Sequence, residues 1–126
     1  VTPETARSLE LARHILARSE RLAADGYAEI VGHDCYLAAF HAANAYIAAT
    51  TGKIPVTHHG TNNLFHQLCR EKGEIGLEHA AFLSRSYKYK AAADYLGEHY
   101  PAPGEVPGIL AGAHALLEAV RTALRP

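Results

Sequence analysis

From Cys35 to Gly52 the chain carries no Asp, Glu, Lys or Arg, and inside that run Tyr36, Phe40, Ala43 and Ile47 recur at spacings of four, three and four. That period lines one apolar stripe along an α-helix and is incompatible with a strand. The run also holds His41, Asn44, Thr50 and Thr51. Those polar groups are costly in hydrocarbon, so the segment predicts a helix buried in protein rather than a membrane span. Alanine, the best helix former and small enough for close helix contacts, occupies 24 of the 126 positions. No segment shows sustained period-two alternation, so no strand is expected.

The rest of the chain reads as further helices. Thr2-Pro3-Glu4 is a helix start: a capping hydroxyl, proline in the first turn, then an acid. Leu9, Ala12, Leu16, Ser19 and Ala23 share a stripe flanked by Ile15 and Leu22, with Gly26 as the stop. A second helix is expected from about Tyr27 to Thr51, closed by Gly52. Pro55 disfavours helical geometry at Ile54, which makes 53–56 a connector. Thr57 caps a third helix from about His58 to Lys72, with Leu64, Phe65, Leu68 and Cys69 inward and Gly73 as its end. A fourth is expected from Gly76 to Glu98, where Leu77, Ala81, Ser84 or Arg85, Lys88, Ala92 and Tyr95 project together. Pro101-Ala102-Pro103-Gly104 reads as a loop, and Glu105 to Leu124 as an amphipathic last helix through Ile109, Ala113, Leu116, Leu117 and Val120. These elements predict an all-α, up-and-down antiparallel bundle of about five helices, one domain over residues 1–126.

Charge and cysteine content narrow the function classes. Lys and Arg number 12 against 13 Asp and Glu, so the strongly basic field of a dedicated nucleic-acid binder is absent globally. Two cysteines imply no disulfide framework, and the first residues lack the basic-then-apolar profile of a secretory signal; a cytoplasmic protein is expected. Nine histidines invite a metal site, yet no His–His pair stands at i,i+4. His58 and His66 share a face with Asn62, but two helical turns put them about 12 Å apart. Neither a metal nor a cofactor is expected, and Cys35 reads as a small core residue.

Two stretches carry possible chemistry. In the first, His41 and Asn44 lie three apart beside the Tyr36/Phe40/Ala43 stripe, as either a hydrogen-bonded pair at the core margin or a polar pair lining a groove. In the second, Arg85 to Tyr95, three cations (Arg85, Lys88, Lys90) alternate with three tyrosines (Tyr87, Tyr89, Tyr95). Such a surface suits phosphates and stacked bases. The plainer reading pairs Lys90 with Asp94 at i,i+4 and leaves the tyrosine hydroxyls at the surface.

Tyr27-Ala28-Glu29, then CYLAAFHAANAYI from Cys35 to Ile47, then Thr57-His58-His59-Gly60 leading to Phe65, then Lys90-Ala91-Ala92-Ala93-Asp94-Tyr95 resemble, in that order, the small single-domain HEPN proteins (higher eukaryotes and prokaryotes nucleotide-binding). The resemblance extends over nearly the whole chain. It implies a helical bundle that commonly dimerises and that in prokaryotes often accompanies a minimal nucleotidyltransferase in a toxin–antitoxin pair. Its catalytic branch consists of metal-independent ribonucleases built on an Arg-x4-6-His motif. Here the first histidine after Arg85 is His99, beyond that spacing, while Arg7 and His14 fit it only on the first helix. The leading expectation is therefore a non-catalytic, homodimeric binding module for a nucleotide, RNA or a nucleotidyltransferase partner. Its candidate ligand-binding residues are Arg85, Lys88, Lys90, Asp94, Tyr95, His41 and Asn44. The alternatives are a divergent metal-independent ribonuclease using Arg85 or Lys90 with His41 or His58, and a purely structural helical dimer.

Overall fold

The computed structural model describes residues 1–92 and 100–125, with side chains through Lys90 and from Tyr100 to Arg125. Five helices run antiparallel: α1 (Pro3–Ala24), α2 (Ala28–Thr51), α3 (His58–Lys72), α4 (Leu77–Ala92) and α5 (Val106–Ala123). No strand occurs among the described residues. The helix ends follow the local chemistry read from the sequence. The Thr2 hydroxyl accepts from the Thr5 N–H at 3.2 Å, and the Thr57 hydroxyl from the Gly60 N–H at 2.9 Å, each satisfying an orphan donor of a first turn. Gly52 and Gly73 close α2 and α3 with φ of 82° and 69°, a left-handed conformation that a Cβ would disfavour.

The axis of the bundle is α2. It packs against all four other helices, most extensively along α1. Residues 42–47 are all buried, which one apolar stripe does not permit; a helix buried over consecutive positions is surrounded. Alanines make that possible, since Ala38, Ala39, Ala42, Ala43 and Ala45 let neighbouring helices approach on several sides. Between them Tyr36, Tyr46 and Ile47 are almost wholly removed from solvent. Each such large side chain contributes roughly 1.5–3 kcal/mol of burial. Two glycines mark the tightest crossings. A Cβ at Gly32 would stand 2.8 Å from Cγ of Tyr89, where α2 meets α4, and one at Gly112 would run into the Phe82 ring, where α4 meets α5.

Several polar groups inside the bundle are paired across helices, while Ser19 Oγ and Asn62 Oδ1 are buried without a hydrogen-bond partner among the described residues. Asp34 on α2 is buried and accepts from Arg18 of α1 at 3.0 Å, with His33 Nδ1 at 3.4 Å from its other oxygen. Burial alone would raise that carboxyl, but His33 and the Arg18 guanidinium outweigh it and hold Asp34 below the ordinary carboxylate range. The Tyr46 hydroxyl donates to Glu74 at 2.7 Å, fixing the α3–α4 turn onto α2. Both cysteines are free and buried; burial pushes the Cys35 thiol up to about 12 and that of Cys69 to about 11, so neither is a nucleophile in the folded chain.

One sequence expectation shifts, and on α4 the structure adds which way the faces turn. The Pro101–Gly104 loop tightens into a 3₁₀ turn over Pro103–Glu105, stabilised by the Ala102 N–H donating to Glu105 at 2.9 Å, so α5 starts at Val106. On α4, the set Leu77, Ala81, Ser84, Arg85 and Lys88 is the exposed face, while Ala80, Phe82, Leu83, Ser86 and Tyr89 turn inward. The alternation of tyrosine and lysine hides that division in the sequence, because both residue types bury a stem and expose a tip. Of the expected continuation of α4 to Glu98, residues 93–99 lie outside the described residues, and with them Asp94 and Tyr95.

Candidate functional site: an imidazole–aromatic junction of three helices

Tyr36, Phe40 and His41 occupy one turn of α2, and the chain brings two further groups to them. His58 and His59 open α3 directly after the Thr57 cap, and Tyr87 and Lys90 lie one turn apart on α4. The His58 ring stacks on Phe40 with centroids 4.2 Å apart and planes 25° from parallel. Its Nδ1 stands 2.8 Å from the Tyr36 hydroxyl. Tyr87 closes the group edge-on to Tyr36 at 5.5 Å, with His59 5.4 Å from its ring on the outer side. Tyr36 itself is fully buried and His59 exposed, while Phe40, His41, His58, Tyr87 and Lys90 are half-buried and form the accessible edge.

This setting fixes protonation states. Burial, then the charge of Lys90 and of His59, lowers the pKa of His58; burial, then His58, lowers that of His41. Both rings are neutral at neutral pH. In the neutral tautomer that carries its proton on Nε2, His58 Nδ1 accepts from the Tyr36 O–H. Burial and the neighbouring Tyr87 oxygen raise the Tyr36 hydroxyl, against the opposing effect of Asn62, so it stays a donor. The junction thus presents flat π surfaces and two uncharged imidazoles beside one lysine. Such a surface stacks on planar rings and, with its cation, suits a phosphate-bearing partner.

The residues singled out in the sequence fall into three places. His41, His58 and Lys90 converge here. Asn44 does not line a groove with His41: it is buried and accepts from the Thr61 hydroxyl at 2.9 Å, tying α2 to α3. Arg85 and Lys88 lie on the other side of α4, where Arg85 sits 5.7 Å over the Phe82 ring and Lys88 5.2 Å over that of Tyr89. They flank a cleft of about 290 Å³ against α5, with Glu105 and Gly108 on the opposite wall. The run of cations along α4 is therefore split between two faces, because positions three apart share a face and positions five apart do not. Two members of the junction, Phe40 and His59, carried no functional signal of their own. Phe40 reads as core and His59 as one of many surface imidazoles; the helix start at Thr57 and the motifs carrying the family resemblance are the signals that include them. Among the described residues no group of three His, Cys, Asp or Glu is placed to hold a metal ion.

A family model for the HEPN domain matches residues 5–123, and the chain belongs to that family. Among curated proteins, none matches it. No helix among the described residues is long and apolar enough to cross a membrane.

Proposed function

We propose that the chain is a non-catalytic HEPN-type binding module that takes a nucleotide or RNA segment at the α2–α3–α4 junction. The observation that carries this reading is the stacked Phe40–His58 pair, locked by Tyr36 and placed beside Lys90. A ring held in one orientation loses little entropy on stacking a base, and a nearby ammonium offsets phosphate charge. His41 and His58 supply neutral rings, and Lys90 the cation. Asp94 and Tyr95 remain candidate contacts. Arg85 and Lys88, on the α5 side, serve a second contact surface in this reading. That face is offered to a partner chain such as a minimal nucleotidyltransferase, with the module itself a homodimer in the cytoplasm.

The ribonuclease alternative in its Arg85 form has its guanidinium on the opposite face of α4, whereas its Lys90 form uses the same Lys90, His41 and His58 that meet at the junction, and cleavage decides between the two readings. The test is incubation of the purified protein with labelled total RNA in chelator, with Lys90→Ala, His58→Gln and Arg85→Ala alongside. The expected outcome is RNA retention without cleavage, weakened by Lys90→Ala and His58→Gln and little changed by Arg85→Ala. Metal-independent cleavage that disappears in His58→Gln would replace the binding-module reading with a ribonuclease.

A further inference from the structure

His41 has a second side. Its ring lies edge-on to Phe40 at 5.7 Å and also lines a cleft of about 250 Å³ between α1 and α2, with Glu4, Arg7, Ser8 and Leu11 on the facing wall. Two of the other three arginines on α1 are committed to carboxylates, and Arg21 lies away from this cleft. Arg13 pairs with Glu10 at 2.5 Å and Arg18 with Asp34 at 3.0 Å. Arg7 makes no ion pair among the described residues, although Glu4 is one turn away on the same helix. Leu11 is 42% exposed beside it, an apolar side chain left partly uncovered on an otherwise polar face.

We infer that this cleft is a sugar–phosphate subsite continuous with the α2–α3–α4 junction, in which Arg7 holds the phosphate, Glu4 and Ser8 bond sugar hydroxyls, and Leu11 covers the sugar carbons. The groups match that ligand in kind. A guanidinium forms paired N–H···O bonds to a phosphate in a way an ammonium does not. A carboxylate is acceptor-only, so Glu4 repels a bare phosphate and selects one that carries hydroxyl donors nearby. A neutral His41 accepts or donates a single hydrogen bond without adding charge, and its position between the cleft and Phe40 joins the sugar–phosphate side to the stacking side. In this arrangement the base lies on Phe40 and His58, and the ribose phosphate runs over α2 towards α1. The inference rests on the nucleotide reading of the junction, and it adds a cation that neither α4 face supplies to it: Arg7.

The test is ligand titration of the full chain with AMP, ribose 5-phosphate, adenosine and inorganic phosphate, followed by amide chemical-shift mapping, on the parent, Arg7→Gln and His58→Gln. Arg7 is exposed and unpaired, so its replacement leaves the fold intact. The expected result is that AMP and ribose 5-phosphate shift the amides of Glu4, Arg7 and Ser8. Arg7→Gln then weakens both by about tenfold or more, the loss of one charge-assisted pair, while adenosine binding is unchanged. His58→Gln weakens AMP and adenosine and spares ribose 5-phosphate. Arg7→Gln binding AMP as the parent does, while His58→Gln loses it, overturns the subsite and leaves the junction standing. The reverse pattern overturns the junction and keeps the subsite as an independent phosphate site. Inorganic phosphate binding as tightly as ribose 5-phosphate overturns the role given to Glu4, and no binding of any probe by the parent overturns both.

Discussion

Replacing Tyr36 with Phe removes one oxygen from the junction and leaves the ring in place, so its effect is readable in both stability and titration. The hydroxyl is fully buried and hydrogen-bonded to His58 Nδ1 at 2.8 Å. Losing such a bond costs about 0.5–1.5 kcal/mol net, with a further contribution because the nitrogen left behind is partly desolvated. A total of about 1–2 kcal/mol is expected, seen as a lower urea midpoint with an unchanged m-value. The ring retains its stacking on Phe40 and edge contact with Tyr87, so no large cavity adds to this. The titration moves in a defined direction. With the His58 proton on Nε2, the Tyr36 O–H donates only to the neutral ring, so removing it takes away support from that form, and the His58 pKa rises towards its ordinary value of about 6.5. The assay is ring-proton NMR of His58 across pH in the parent and in Tyr36→Phe. Unchanged stability together with an unmoved His58 titration would refute the claim that this hydroxyl locks the imidazole.

Three further outcomes follow from the same geometry. Gly32→Ala drives a Cβ against the root of the Tyr89 side chain; overpacking of that kind costs about 1–3 kcal/mol, and calorimetry should show a lower Tm that Gly104→Ala, facing open space, does not reproduce. Acid unfolding should have two stages. His41 and His58 have folded pKa values below their ordinary value, so the unfolded chain binds protons first, and stability declines as pH falls below about 6.5. Asp34 is also lowered, so its contribution is intact above the ordinary carboxylate pKa of about 3.9 and is lost only as pH falls below that towards its folded value. Denaturant midpoints at pH 7.5, 5.5 and 3.5 check both stages, and a stability that rises between the first two would contradict the assignment of neutral histidines. Finally, Cys35 and Cys69 should react with a thiol reagent at the rate of unfolding rather than at that of a free thiol, since both are buried with raised pKa values. Stopped-flow labelling in native buffer and in urea measures it.

Helix content, helix order and most boundaries were legible because the signals are local. Thr2, Thr57, Gly52 and Gly73 act within a turn of themselves, and their chemistry is the same in the chain as in the fold. The centrality of α2 was only half legible: its uncharged run announced burial, but alanine reads equally as propensity and as packing, and only the neighbours decide. On α4 the inward face was not legible, because Tyr87, Lys88, Tyr89 and Lys90 each bury a stem and expose a tip. The junction was visible residue by residue, with His41, His58 and Lys90 all recognised as chemically able. Their convergence was not, since it depends on the angle at which α3 enters and on the stacking of His58 against a phenylalanine 18 positions earlier. The pairings Arg18–Asp34 and Tyr46–Glu74 escaped for the same reason. Long-range partners leave no local periodicity to read.

The account stands most directly on where a nucleotide touches the chain. Amide and side-chain NMR of the labelled protein titrated with AMP measures this without assuming any residue's role. The account predicts shifts gathered at Phe40, His41, His58, His59 and Tyr87, extending to Lys90 and, with the subsite on α1, to Glu4, Arg7 and Ser8, with the His58 ring resonances among the largest. Shifts gathered instead at Arg85, Lys88, Glu105 and Gly108, with the junction silent, would place the ligand in the α4–α5 cleft and contradict it.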